Sequence, residues 1–303
     1  MGLSPFFCRV RAVWLDLLAL LWPTECVGCG APDRDLCDAC GAALARRAAS
    51  TPLLCGSVPE GAGAAGTARP PPIVPLFAAA PYVGMPRELL IALKHAGRVG
   101  FARRLGPLLA RPLSEALAAA EACDGDAASA DRSASAGRSA SVDRSACAPL
   151  IVCVPSRSAR VRQRGYRHVE EILRHTLRQL RSGRGDAGGG ERAEGTSTAF
   201  LLPRRPLRAL RPLAGRTGQV GLTSSQRVRN AQRIAIRSAA RRRLSGRRVV
   251  IVDDVVTTGA TIAAACEAVR EAGAEVFAAV AICRVERRDT RDADAGSGSG
   301  SAR

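Results

Sequence analysis

The stretch Arg248-Val-Val-Ile-Val-Asp-Asp-Val-Val-Thr-Thr-Gly-Ala-Thr-Ile262 constrains the fold of this chain more than any other. Val249–Val252 is a short run of apolar, β-branched residues, which predicts a buried strand over Arg248–Val252. Asp253 and Asp254 stand at its carboxyl end, where open α/β sheets bind their ligands. Thr257-Thr258-Gly259-Ala260-Thr261 follows, and a helix is expected to begin at once. Gly259 and its small neighbours let the backbone turn closely around an anion, with helix amides and three hydroxyls as donors. A phosphate monoester fits that cradle, and the paired carboxylates are placed to accept hydrogen bonds from vicinal ribose hydroxyls. A polar turn with helix-capping threonines is the simpler alternative; it explains one Thr but not the whole pattern. Neither GxxxxGK[ST] nor a strand-linked GxGxxG occurs, so this is a different phosphate site from either of those.

The surrounding pattern is also α/β. Strands are expected at Ile73–Tyr82, Leu150–Val154 and Val276–Cys283, and helices at Pro86–Ala96, Phe101–Ala120, Gly165–Leu180 and Ala260–Ala272. Strands alternating with helices predict a parallel sheet flanked by helices. The expected organisation is a short helix in 1–23, a cysteine module over 24–57, a Gly/Ala/Pro-rich linker over 58–72, and the α/β domain over 73–291. Low-complexity tracts at 124–145 and 182–197 read as loop insertions, and 292–303 as a disordered tail, because none has the apolar residues to offset ordering entropy.

Function classes are narrowed by composition. With 47% hydrophobic residues the chain is neither wholly disordered nor collagen-like. Its longest apolar run, Ala12–Trp22, is broken by Asp16 and falls short of the ~20 residues of a membrane span. Arg9 and Arg11 precede that run as in a secretory signal, but no small-x-small cleavage site follows, and a reducing, cytoplasmic setting is expected. Net charge is +18, with 14 Arg and no acid between Leu201 and Val250. A nucleic acid or a phosphorylated small molecule is the natural partner; a merely soluble basic surface is the alternative.

Cys26-Val-Gly-Cys29 and Cys37-Asp-Ala-Cys40 are two knuckles seven residues apart. That spacing can place four thiolates tetrahedrally around Zn²⁺, and four sulfurs leave no open position, so the zinc would be structural. Gly30 and Gly41 permit the tight turns; paired or free thiols are the alternative.

The Asp253–Thr261 stretch resembles the signature by which type I phosphoribosyltransferases bind 5-phosphoribosyl-1-pyrophosphate (PRPP). The cysteine module, Tyr82–Lys94, Val154–Tyr166 and Gln219–Asn230 are similar to segments of the ComF-like competence family. The resemblance implies that Asp253 and Asp254 contact the ribose hydroxyls, and that Thr257, Thr258, Gly259, Ala260 and Thr261 hold the 5-phosphate. Ser156 and Arg157, in the loop Pro155–Ser158, would sit near the pyrophosphate. Lys94 would reach a phosphate, with a solvated helix cation as its alternative. Mg²⁺ would accompany PRPP. The implied role is uptake of transforming DNA, with competence proteins as possible partners.

Single-stranded DNA would meet Arg160, Arg162, Arg164 and Arg167 around Tyr166. With aromatics at 3% that binding would be mainly electrostatic. The sequence departs from the family at Arg167 and His168, which replace two amides; His168 reads as a polar helix residue. Pro52 stands where a partner for Cys55 would be, so a second cysteine site is not expected. Two hypotheses remain: a Mg²⁺-dependent transferase with an unidentified acceptor, or a binding module without turnover.

Overall fold

The computed structural model describes residues 25–32, 34–49, 53–57, 74–95, 97–131, 148–182, 202–213 and 233–285. The expected helix in 1–23, the linker 58–72, Gln219–Asn230 and the tail lie outside them, as do Pro52 and most of both insertions.

A five-stranded sheet forms the centre, in the order β1-β2-β7-β6-β3. Its strands are β1 (Leu53–Ser57), β2 (Pro75–Pro81), β3 (Leu150–Cys153), β6 (Arg248–Val256) and β7 (Glu275–Arg284). β2, β7, β6 and β3 run parallel, and β1 closes one edge antiparallel to β2. β4 (Leu210–Pro212) and β5 (Ile234–Ile236) make a separate antiparallel pair. The other edge strand, β3, is flanked by a parallel bridge from Leu207 to Val152, in which the Leu207 amide donates to the Ile151 carbonyl at 2.7 Å. The chain is thus α/β with a parallel sheet flanked by helices, the arrangement the alternating pattern predicts.

Strand alternation divides the core into two layers. Val250, Val252, Val280 and Ile282 face one layer, built from α2 (Gly84–His95), α3 (Ala102–Asp131) and α5 (His168–Arg181). Cys26, Leu36, Cys40 and Leu44 are buried in that same layer; the last two come from α1 (Asp38–Ala49). Val249, Ile251, Ala279 and Ala281 face the second layer, beneath α7 (Ala260–Glu271) and the β4–β5 pair. Each face of β6 and β7 therefore meets apolar cover, which is why both strands read as nearly unbroken hydrophobic runs.

Three differences from the sequence reading exceed two residues. β6 continues past Val252 to Val256, because β7 keeps pairing with it as far as Val256 opposite Arg284. The helix expected from Gly165 is two: α4 (Ser158–Arg164) stops at Gly165, whose φ of 80° is the left-handed C-cap conformation glycine favours, and α5 begins at His168. α3 runs beyond Ala120 into the stretch read as a loop insertion, through Ala-rich sequence that favours helical backbone. The remaining short helix is α6 (Arg241–Leu244).

α3 and α5 pack tightly at Gly106. A Cβ there would lie 2.8 Å from the Cβ of His175 and 3.2 Å from the Thr176 amide nitrogen. The Thr176 hydroxyl, fully buried, donates to the Gly106 carbonyl at 3.0 Å. Gly106→Ala is therefore expected to push the helices apart and destabilise the fold by ~1–3 kcal/mol, read as a lower midpoint in urea unfolding.

Candidate functional site

The cleft opens where the sheet is staggered. β3 ends at Cys153, opposite Val252, whereas β6 runs on with β7 beside it. Past Val252 the strand has a neighbour on one side only, and Asp253 and Asp254 occupy that step. They are consecutive strand residues and point to opposite faces. Asp254 shares the face of Val252 and is 7% exposed, under the α2–α5 layer. The cleft measures about 550 Å³, with the Val154–Arg157 loop on one side and Thr257–Ile262 on the other.

Gly259 sits at the N-cap of α7 with φ 80° and ψ −9°, a left-handed conformation that a side chain would strain. The chain reverses there, and the first turn of α7, Ala260–Ile262, lines the cleft. The Ala260 amide lies 3.4 Å from the Thr258 hydroxyl. The arrangement provides donors and a positive dipole end for an anion.

Asp254 is held by a polar network that spans four elements. Its Oδ2 accepts from Lys94 Nζ on α2 and from His168 Nε2 on α5, both at 2.5 Å. Its Oδ1 accepts from the Val255 amide at 2.8 Å. On the far side of the imidazole, Arg164 Nη1 donates to His168 Nδ1 at 2.9 Å, with the Ser156 hydroxyl 3.5 Å away. A guanidinium can only donate, so Nδ1 is the accepting nitrogen and Nε2 presents its N–H to the carboxylate. Burial pushes Asp254 up, but Lys94 and then His168 outweigh it and hold the acid well below the usual carboxylate range. Burial, followed by repulsion from Asp254, pushes Asp253 up to about 8. Burial drives Lys94 down, yet Asp254 more than restores it and leaves it raised. One charged and one neutral acid therefore share the step.

Residues 206–298 match the family model of the phosphoribosyl transferase domain. Over 38 residues, 12% of this chain, the sequence is 58% identical to an adenine phosphoribosyltransferase of Saccharopolyspora erythraea, and the matched stretch spans 21% of that protein's length. The phosphoribosyl transferase match takes in β6, the Thr257–Thr261 turn, α7 and β7. Lys94, Ser156, Arg164 and His168 lie outside it.

The structure brings Lys94, Ser156 and Arg157 to the cleft together with both acids and the Thr257–Thr261 turn. It separates the arginines proposed for nucleic acid. Arg160 and Arg164 line the cleft, whereas Arg162 is exposed. Arg167 borders a smaller adjoining cavity and pairs with Glu170 at 3.5 Å. Tyr166 is half-buried against the first core layer and donates its hydroxyl to the Leu93 carbonyl, so its ring is packed rather than presented for base stacking. His168 is the residue that sequence reasoning missed as part of the site. The one local signal was its nearness in sequence to Arg164; nothing in the sequence ties it to Asp254.

A second centre is formed by Cys26, Cys29, Cys37 and Cys40, whose sulfurs all lie within 4.8 Å of one another. Backbone amides turn toward them, Cys37 N to Cys26 Sγ at 3.3 Å and Cys40 N to Cys37 Sγ at 3.4 Å. Burial raises the Cys26 thiol, but the amides of Cys37, Cys29 and Gly28 overcome it and bring the group down to about 6. The Cys37 sulfur, then burial, push Cys40 up to about 12. Four soft donors at this spacing, with amides on the sulfurs, fit a structural zinc ion. Gly28 packs so tightly that a Cβ would lie 2.7 Å from Cys40 Sγ and 3.4 Å from the methyl carbon of Met85, the second residue of α2.

No helix among the described residues is long and apolar enough to cross a membrane. Purified protein is expected to carry one zinc ion per chain by elemental analysis. Cys40→Ser should release it and lower the melting temperature of the whole domain, since Cys40 and Leu89 share one core layer.

Proposed function

We propose that the chain is a PRPP-binding protein of phosphoribosyltransferase fold. The observation that carries this reading is the step in the sheet: Asp253 and Asp254 stand beside a Gly259-capped anion turn, across from the Pro155–Arg157 loop. The acids take the ribose hydroxyls. Thr257, Thr258, Gly259, Ala260 and Thr261 take the 5-phosphate through amides and hydroxyls. Lys94, Ser156 and Arg157 take the pyrophosphate, which brings its own Mg²⁺. In turnover, positive charge would build at C1 as the bond to pyrophosphate breaks, and the ionised Asp254 carboxylate would stabilise it while an acceptor's lone pair forms the new bond.

A second reading is favoured by the arginines at the cleft. Arg157 and Arg160 line it and Arg162 is exposed close by, a basic rim suited to strand phosphates. On that reading the protein senses PRPP or grips single-stranded DNA without turnover, in the cytoplasmic steps of DNA uptake and alongside competence proteins. Phosphorus NMR of PRPP and Mg²⁺ with the protein separates the two: a growing pyrophosphate signal marks turnover, and broadened PRPP lines alone mark binding.

The double change Asp253→Asn and Asp254→Asn is expected to lower PRPP affinity by about 100-fold or more, given ~1.5–3 kcal/mol for each charge-assisted hydrogen bond lost. Binding of single-stranded DNA should survive it; equal loss of both in calorimetry would show that they share one site.

pH gives an independent check. Asp253 accepts ribose hydroxyls best when ionised and is pushed up to about 8. PRPP affinity should rise from pH 6 to 8, approaching about tenfold per unit at the lower end, and the rise should flatten in Asp253→Asn. Stability of the free protein moves the other way. The unfolded chain ionises this acid near 3.8 and the fold only near 8, so the fold weakens as pH climbs between those values.

A further inference from the structure

We propose that Lys94 is an exchangeable counter-ion: it neutralises Asp254 until a ligand brings a second anion into the cleft, and so makes the site select ribose phosphates bearing a pyrophosphate at C1. This rests on the PRPP reading and adds a rule for which ligands that site admits.

The argument begins with the lone pairs of Asp254. Oδ2 already accepts from two donors at 2.5 Å, Lys94 Nζ and His168 Nε2, and Oδ1 accepts the Val255 amide at 2.8 Å. A carboxylate oxygen offers about two lone pairs, so a ribose hydroxyl reaches Oδ2 only by displacing a donor.

The two donors differ in freedom. His168 is 7% exposed, and its other nitrogen is fixed by Arg164 at 2.9 Å. Lys94 sits in the last turn of α2 on a flexible stem, with 21% of its side chain exposed on the cleft. Lys94 is the donor that leaves.

Where it goes decides which ligand binds. Departure into water leaves a buried carboxylate beside Asp253 without its cation, an unfavourable exchange. Departure to a ligand anion keeps the ammonium paired. The 5-phosphate is held by the Thr257–Thr261 turn and the α7 amides, so ribose 5-phosphate offers Lys94 no second anion. A pyrophosphate at C1 does, on the same cleft wall as Ser156 and Arg157. Ribose recognition at the Oδ2 atom of Asp254 is thereby made conditional on pyrophosphate recognition.

Lys94 is the chain's single lysine, so full-length protein labelled with ¹³C at lysine Cε gives one side-chain signal. Titration with Mg²⁺–PRPP is expected to move that signal in step with binding. Ribose 5-phosphate should leave it near its starting position. In calorimetry the wild type should prefer PRPP over ribose 5-phosphate by about 100-fold or more, and Lys94→Met should narrow the preference to about tenfold or less. A lysine signal that stays still at PRPP saturation overturns the exchange, and so does a Lys94→Met protein that loses affinity for both ligands by one factor. Wild-type protein that binds neither ligand overturns the PRPP reading itself.

Discussion

β6 stays hydrogen-bonded to β7 as far as Val256 but loses β3 after Val252, and that stagger sets the position of every group at the cleft. A strand paired on both sides has no room for a ligand at its backbone, whereas one paired on a single side offers an open flank still held rigid by its neighbour. The acids stand on that flank. Because β7 continues beneath them, they inherit the stiffness of the sheet rather than that of a loop.

Strand alternation then assigns each acid its surroundings. Asp254 falls on the face covered by α2 and α5, so its neighbours are Lys94 and His168, 160 and 86 positions away in sequence. Asp253 has no such cation in contact among the described residues, and repulsion from its charged neighbour adds to the cost of its burial. Chemically identical residues thus become an ionised acceptor and a reluctant acid through the period-two geometry of a β-strand alone.

Much of this was legible in the sequence, for physical reasons. The strand, the paired acids and the glycine-capped turn are local features in which neighbouring residues interact, and they lie where the pattern puts them. Parallel topology followed from the alternation of strands and helices, and the four cysteines cluster as their spacing suggests. What escaped was non-local. The length of β6 depends on how far β7 accompanies it, and the break at Gly165 reflects a left-handed φ within an otherwise helical stretch. His168 gains its importance from Asp254, which only the packing of α5 on the sheet brings near. Tyr166 among four arginines was read as part of a mainly electrostatic contact for single-stranded DNA; in the fold its ring is committed to the core and its hydroxyl to Leu93.

The bridge between Leu207 and Val152 has a consequence for solubility. Among the described residues, β3 would otherwise present a row of unpaired amides and carbonyls on that side, the kind of template on which separate chains add strands to one another. The segment carrying Leu207 occupies part of that row with a single bridge and one amide bond to Ile151. It acts as a stopper in place of a sixth strand. Loosening it would expose the sheet at the strand that leads into Pro155–Arg157, so self-association begun there would bury the cleft's own wall, and loss of ligand binding would accompany the first step of aggregation.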